Sequence, residues 1–587
     1  MSFPTSAAIV NRLAAYFVLT IGLSIISTFA LLRNLGHDYI TPWDEVVHVN
    51  VVHNLYADCC DPKLHTIDLG TGDKWTNSYI WLHKPMLPFY LRAALYHVFG
   101  ESLFVFRLPS AFFAILTAAS LFFIANRLSN AWVAVGCALL FASNQLVFRL
   151  VQGLLFSDLS DVMNVFFLAI VLGLALVSAA GHPLFVRKSE SSVAYDLASL
   201  TAALFAALAY FCKGGFALPG LTVFAIALVW QCGRRSVRPI IMMSLLFGAL
   251  VFAESFYFSH RFPHEFFLEQ RRQVLHLFTD VEGWARPWDQ YINLGWPDLL
   301  GVPLSVLGFL AMMASVLLSK LRNRRNLLLV LWILIYLVPL SIGVSKIPNF
   351  IVPVLPAVIL LVGFSAYDLF HGDRPRLLYS LTGILFLTVE FYCWNILRFG
   401  YYVDSMADGS RQPFWLLAVS VAIVSLSLVF SIREKQTGLV LPSALRYTAV
   451  AMAAVMCVTV VIRHSYNNWY LSNILPENYR EQMTLKATAS TIKSQVPEGA
   501  VVLVDKANMI NTHLYFQYWS GVNGLPAEES DFAIRTLSRT HPLYLLSEGE
   551  DPLADATLNG NAPHWSLSKI DCLNNVNGIV EIVFCPK

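Results

Sequence analysis

About thirteen times along this chain an apolar run reaches the roughly 20 residues that a helix needs to cross a bilayer. No other feature restricts the fold so much, because backbone groups placed in lipid must bond within their own segment, which leaves helices as the spanning element. The first run extends from about Ile9 to Leu32, and the others centre near Ala114, Ala138, Ile170, Ala203, Phe224, Leu250, Leu307, Leu331, Val358, Leu385, Val421 and Ala454. The first is too long for a signal peptide and lacks a small-residue cleavage site, so it is expected to remain as a span. Composition agrees: 56% of residues are hydrophobic and 13% charged, with a mean hydropathy of +0.58.

Charge sets the orientation, since Lys and Arg near helix ends are retained in the cytoplasm. With the N-terminus inside, Arg127, Arg187, Lys188, Arg234, Arg235, Arg238, Lys320, Arg322, Arg324, Arg325, Arg374, Arg376, Arg433 and Lys435 fall in cytoplasmic loops. The short outer loops collect chiefly Arg149, Lys213, Lys346, Arg398 and Arg411. Net charge is only +2 and no basic face is apparent, so nucleic acid is not an expected partner.

Two outer loops, 36–88 and 260–296, are long and rich in aromatic, acidic and histidine residues, the places to look for function. The predicted architecture is an all-α polytopic membrane module over 1–465, followed by a small extracytoplasmic α/β domain over 466–587. In that domain helical patterns near Met483–Gln495, Met509–Tyr518 and Ser530–Ser538 alternate with β-type runs at Ala500–Val504, Leu543–Leu546 and Gly578–Phe584. It shows no phosphate-binding glycine motif, which favours an accessory or acceptor-docking role. Of the nine cysteines, Cys59, Cys60, Cys572 and Cys585 lie in polar segments. A Cys572–Cys585 bridge and a reduced pair are both open readings.

Directly after the first span stands Thr41-Pro42-Trp43-Asp44-Glu45-Val46-Val47-His48. Two adjacent carboxylates withdrawn from water suit general-base work, whereas acids in the first turn of a solvated helix are the plainer alternative. Further on, Trp81-Leu82-His83-Lys84-Pro85-Met86-Leu87-Pro88 frames a lysine with prolines, suited to hold a phosphate or simply to snorkel. At the outer mouth of the fourth span Asp158 and Asp161 are about one turn apart, either as a second acidic site, with Asp158 slightly favoured, or as helix caps.

Taken together these blocks resemble the GT-C glycosyltransferases of the aminoarabinose transferase and protein O-mannosyltransferase type. The resemblance rests on Asp44-Glu45, His83-Lys84-Pro85-Met86-Leu87, Phe99-Gly100-Glu101 and Arg107-Leu108-Pro109-Ser110-Ala111. It continues through Tyr210-Phe211-Cys212-Lys213-Gly214-Gly215 and the Ser345–Pro356 segment, and covers roughly residues 10–370. It implies a GT-C fold with short membrane-parallel helices in the first outer loop, and transfer from a polyprenyl-phosphate sugar to a lipid, glycan or protein acceptor, by one inverting displacement. The implied setting is a bacterial inner (plasma) membrane with the site on its outer face. By the same resemblance Asp44 is the base, with Glu45, Asp158 and Asp161 as the other catalytic acids, while Lys84, His83 and Lys346 bind the donor phosphate.

Where the aminoarabinose enzymes read Asp-Glu-Pro-Arg-Tyr, this chain has Asp44-Glu45-Val46-Val47-His48, so the arginine near the phosphate is missing and no particular sugar is indicated. His83, His260, His264 and His276 bring imidazoles from both long loops, and some relatives hold a divalent ion there, but no recognisable third ligand stands beside His260 and His264; no cofactor is certain, and a divalent metal stays open as the less favoured reading. Competing classes are a polytopic transporter or lipid flippase, disfavoured by scarce mid-span charge and no internal repeat, and an oligosaccharide ligase, which lacks the acidic pair with Lys-Pro.

Overall fold

The computed structural model describes residues 35–68, 78–154, 160–180, 192–280, 302–317, 323–370, 476–504, 511–527, 541–549, 564–569, 572–576 and 579–583, with a few single positions between them. The predicted spans centred near Leu385, Val421 and Ala454, most of the first span, Asp158, and the helix predicted at Ser530–Ser538 lie outside the described residues.

Apolar sequence becomes helix wherever the predicted spans are described. The first outer loop forms α1 (Asp44–Ala57) and runs past its expected end at 88 into α2 (Leu87–Phe99), then the bundle proceeds through α3 (Leu103–Leu128), α4 (Ala131–Ala142), α5 (Gln145–Val151) and α6 (Ser160–Ala179). Three helices follow in tight succession: α7 (Ser192–Lys213), α8 (Leu218–Cys232) and α9 (Val237–Arg261), joined by single 3-10 turns at Gly214–Ala217 and Gly233–Ser236. The second outer loop contributes α10 (Pro263–Phe278), after which come α11 (Val302–Leu317), α12 (Arg324–Ile342), a 3-10 segment Pro348–Val354 and α13 (Leu355–Phe370). Several of these, among them Leu103–Leu128, Ser160–Ala179 and Arg324–Ile342, are long and apolar enough to cross a membrane. This is an integral membrane protein.

Polar residues punctuate the helices. Ser102 caps α3 by accepting from Val105 N, Asn130 caps α4, and Asn323 caps α12, each meeting backbone N–H groups that the first turn leaves without partners. On the outside of the bundle α9 exposes Ile241, Leu245, Phe252 and Phe256. That apolar stripe is untenable in water and ordinary against lipid.

The loops sort to two ends. At one, Arg325 pairs with Asp368 at 2.6 Å and donates to Leu128 O at 2.7 Å, and Arg238 meets Asp196 at 3.0 Å. This is the end that the charge bias assigns to the cytoplasm. The acidic pair, Lys84, Asp161, Lys213 and Lys346 all belong to loops or helix ends at the other.

The C-terminal segment is α/β. After α14 (Pro476–Ile492), strand β1 (Val501–Val504) runs parallel to β2 (Asn523–Pro526) and to β3 (Leu543–Gly549), while β4 (His564–Lys569) closes the sheet antiparallel to β3 in the order β2-β1-β3-β4. Helix α15 (Thr512–Ser520) makes the crossover between β1 and β2. Gly524 permits its return, because a Cβ there would stand 2.4 Å from His513 O. A hairpin of β5 (Cys572–Val576) and β6 (Ile579–Val583) completes it. Sequence patterning anticipates β1, β3 and β6 but not β2, β4 or β5: Asn-Gly-Leu-Pro reads as a turn, and His-Trp-Ser-Leu-Ser-Lys and Cys-Leu-Asn-Asn-Val carry few apolar residues. Cys585 is not described, so its pairing with Cys572 stays with the sequence; Cys59 and Cys60 are bonded to one another.

This segment packs directly on the first outer loop. Val46, Val49 and Phe89 share one apolar core with Leu485, Leu514, Tyr515 and Phe516. Helix α1 is therefore buried on nearly every side, between the bundle and α15.

Candidate active site

The site is built around the start of α1. Asp44 is its first residue, and its Oδ2 lies 2.8 Å from Lys84 Nζ, with both side chains about one-seventh exposed. Sequence reasoning placed these two residues in one function; the structure places them in contact.

Several elements hold Lys84 there. Trp81 N donates to Pro62 O at 2.7 Å and its buried ring packs edge-on against Phe89 and His48. From the second outer loop, Gln273 Nε2 donates to His83 O at 2.9 Å, and Glu269 Oε2 lies 2.8 Å from His83 Nδ1. Burial alone would raise the Glu269 carboxyl, but the hydrogen bond and charge of His83, with those of Arg272, outweigh it and hold the group below its ordinary range. His83, anticipated as a phosphate ligand, thus turns its Nδ1 toward a carboxylate.

Glu45 meets different partners from its neighbour. Its Oε1 accepts from Arg107 Nε at 2.7 Å and its Oε2 from Thr41 N at 2.7 Å, with Glu45 and Arg107 both fully buried. The rest of the Arg107 guanidinium donates to the carbonyls of Leu35, His37 and Tyr39 at 2.6 to 2.9 Å. Gly153 presses on this pair: its φ is +62°, and a Cβ would stand 2.4 Å from Glu45 Oε1. Thr41 Oγ1 donates to the Gly153 carbonyl. Adjacent acids in sequence therefore occupy different environments, one partly exposed beside Lys84 and one closed within protein.

A second charged pair joins α6 to α7. Asp161, in the first turn of α6, meets Lys213 Nζ, from the last residue of α7, at 2.8 Å. Asn349 donates to the other Asp161 oxygen, and the Phe350 ring lies 5.2 Å from Lys213 Nζ. Gln273, which binds His83 O, has its Oε1 4.0 Å from where a Cβ on Gly214, the residue after Lys213, would stand. Lys346 turns to its own backbone, donating to Gly343 O, and burial lowers its ammonium below the ordinary lysine range. Its segment is tied to the second outer loop, with Ser345 paired to Ala285 and Tyr291 Oη donating to Ile347 O at 2.8 Å.

No protein-family model matches the chain, and no curated protein matches its sequence. Solved structures do match. ArnT from Cupriavidus metallidurans, bound to undecaprenyl phosphate, aligns with a TM-score of 0.60 at 16% identity, over 93% of this chain and 95% of that one. The fold is that of the GT-C membrane glycosyltransferases. ArnT in its apo state gives 0.59 over the same shares.

On this GT-C scaffold, sequence reasoning missed Lys213, Arg107, Glu269 and Asn349 as site residues. A signal existed for the lysine: it ends an apolar helix, where an ionisable group calls for a named partner. None marks Glu269, whose partner is 186 residues away. Of the four histidines considered for metal, His83 pairs with Glu269 and His260 stacks on Phe256. Among the described residues no three His, Cys, Asp or Glu groups converge at metal-binding distance.

Proposed function

We propose that this protein transfers a sugar from a polyprenyl-phosphate carrier to a hydroxyl acceptor at the membrane surface. The Asp44–Lys84 contact carries the reading: a carboxylate and an ammonium meet, both partly exposed, at one end of the bundle, on a scaffold whose neighbour ArnT was solved with undecaprenyl phosphate. When the donor enters, Lys84 exchanges its carboxylate partner for the phosphate. Asp44 is then freed to receive the acceptor's proton as the acceptor oxygen bonds to the anomeric carbon. The carbon–oxygen bond to phosphate breaks on the opposite face, inverting the centre, and the electron pair leaves on polyprenyl phosphate. Lys84 stabilises that growing charge in surroundings drier than bulk water, where a fixed cation acts strongly. Lys213, held by Asp161, is a second cation at the same end of the bundle.

Glu45 serves in this scheme by fixing the turn before Asp44, not by proton transfer, since both its oxygens are already engaged. The Asp44–Lys84 pair and the C-terminal domain over 466–587 are assigned to the outer face of the membrane by the charge bias. The Cys59–Cys60 disulfide on the first outer loop suits an oxidising compartment. Acceptor docking falls to the C-terminal domain, which packs against α1.

The test incubates purified protein in lipid with a panel of radiolabelled polyprenyl-phosphate sugars and membrane extract, and identifies labelled product. Transfer that Asp44→Asn abolishes supports the reading. Carrier movement across vesicles without any transfer would instead make the protein a flippase, and use of diphosphate-linked donors alone would make it a ligase.

A further inference from the structure

The residue just before Asp44 is strained. Trp43 has φ +88° and ψ −110°, a conformation that side chains other than glycine rarely adopt and that persists only where surrounding structure imposes it. It decides how α1 begins and hence where Asp44 points. Pro42 has no N–H to give, so the restraint must come from the residues on either side.

On the helix side Glu45 holds Thr41 N, and Thr41 Oγ1 reaches the Gly153 carbonyl. On the other side the restraint comes from more than 440 residues away. Gln482 of α14, fully buried, bonds both backbone groups of Ile40: Ile40 N donates to its Oε1 at 3.1 Å, and its Nε2 donates to Ile40 O at 2.9 Å. Tyr515 of α15, equally buried, donates its hydroxyl to the same carbonyl at 3.0 Å. Lys486, one turn beyond Gln482, pairs with Asp38 at 2.9 Å, and Asn50 on α1 donates to Leu514 O at 2.9 Å. The C-terminal domain thus grips the chain before the strained turn and the helix after it.

We propose that Gln482 and Tyr515 are positioning residues for Asp44: by fixing Ile40 they hold Trp43 in its positive-φ conformation and aim the carboxylate toward Lys84. The catalytic consequence rests on the role proposed above for Asp44; the mechanical part does not. A two-point amide clamp on a backbone is the contact a neighbouring strand would make, and it leaves Ile40 no freedom to rotate as the turn relaxes. Misaiming a base by about 1 Å costs roughly a hundredfold in rate.

Gln482→Ala and Tyr515→Phe in the full-length protein, reconstituted in lipid, test this with two independent readouts. Amide hydrogen exchange should quicken across residues 38–46 in Gln482→Ala and, less so, in Tyr515→Phe, while the helix Leu103–Leu128 stays protected. Turnover should fall roughly ten- to a hundredfold in Gln482→Ala, with the affinity for undecaprenyl phosphate unchanged. Unaltered exchange at 38–46 in both variants overturns the clamp. Quickened exchange with wild-type turnover, or a loss of donor affinity parallel to the loss of rate, overturns the positioning role. If the wild-type protein transfers no sugar, the proposed function fails, and exchange alone still decides whether the turn is held from the C-terminal domain.

Discussion

Replacing Glu45 by Gln separates the two carboxylates that the sequence sets side by side. The change keeps shape but removes a charge from a pair in which Glu45 and Arg107 are buried to 1% and 0% exposure. Both carboxylate oxygens accept from N–H donors, Arg107 Nε and Thr41 N, and an amide has one acceptor oxygen, so its NH2 is forced against a donor. Arg107 retains three backbone carbonyls, which are dipoles and do not neutralise it. Leaving one member of a buried ion pair without its partner costs about 3–5 kcal/mol, and the surviving carbonyls put this case near the lower bound, about 3 kcal/mol. Denaturant unfolding in lipid or mixed micelles should register that loss. Turnover per folded molecule should fall far less than in Asp44→Asn. A second substitution, Arg107→Met, should recover part of the stability by removing the stranded charge. A Glu45→Gln protein as stable as wild type yet unable to transfer sugar would refute the argument and make Glu45 the reacting acid.

Asp44→Asn should lower turnover by roughly 10²- to 10⁴-fold with donor binding preserved or tightened, and near-wild-type turnover would remove the general base. Lys84→Ala should weaken the transition state by about 1.5–3 kcal/mol and Lys84→Arg should restore only part, whereas normal donor kinetics in the alanine variant would take Lys84 out of the site. His37 is buried beside the Arg107 guanidinium, and these two causes lower its imidazole from 6.5 to about 3. The folded state then binds fewer protons than the unfolded one, so its contribution to stability is full above pH 6.5 and is lost as pH falls toward 3. Unfolding measured at neutral pH and at about pH 4.5 should show a shallower pH dependence in His37→Asn; equal slopes would discount His37.

Helix placement was legible because it depends on a local quantity. Runs of apolar residues long enough to span appear as helices at every described position from Ala114 to Val358. The Asp44–Lys84 pairing was legible for a different reason, through resemblance to blocks whose order carries information that spacing does not. What stayed hidden are contacts made between distant segments. Nothing in the composition around Glu269 announces His83, and no motif near Gln482 points to Ile40.

The acidic pair shows why adjacency in sequence is a poor guide to shared chemistry. At the first two positions of a helix, successive side chains diverge by about 100° around the axis, so Asp44 and Glu45 face different surroundings. Which one meets protein is then decided by tertiary partners: Arg107, placed by α3, and Gly153, whose missing Cβ lets the backbone close on the glutamate. A bulkier residue at 153 would push into the space that Glu45 and Arg107 occupy. The selectivity between the two carboxylates thus lies outside the Asp-Glu dipeptide, in an arginine 62 positions away and a glycine that no spacing argument connects to either acid.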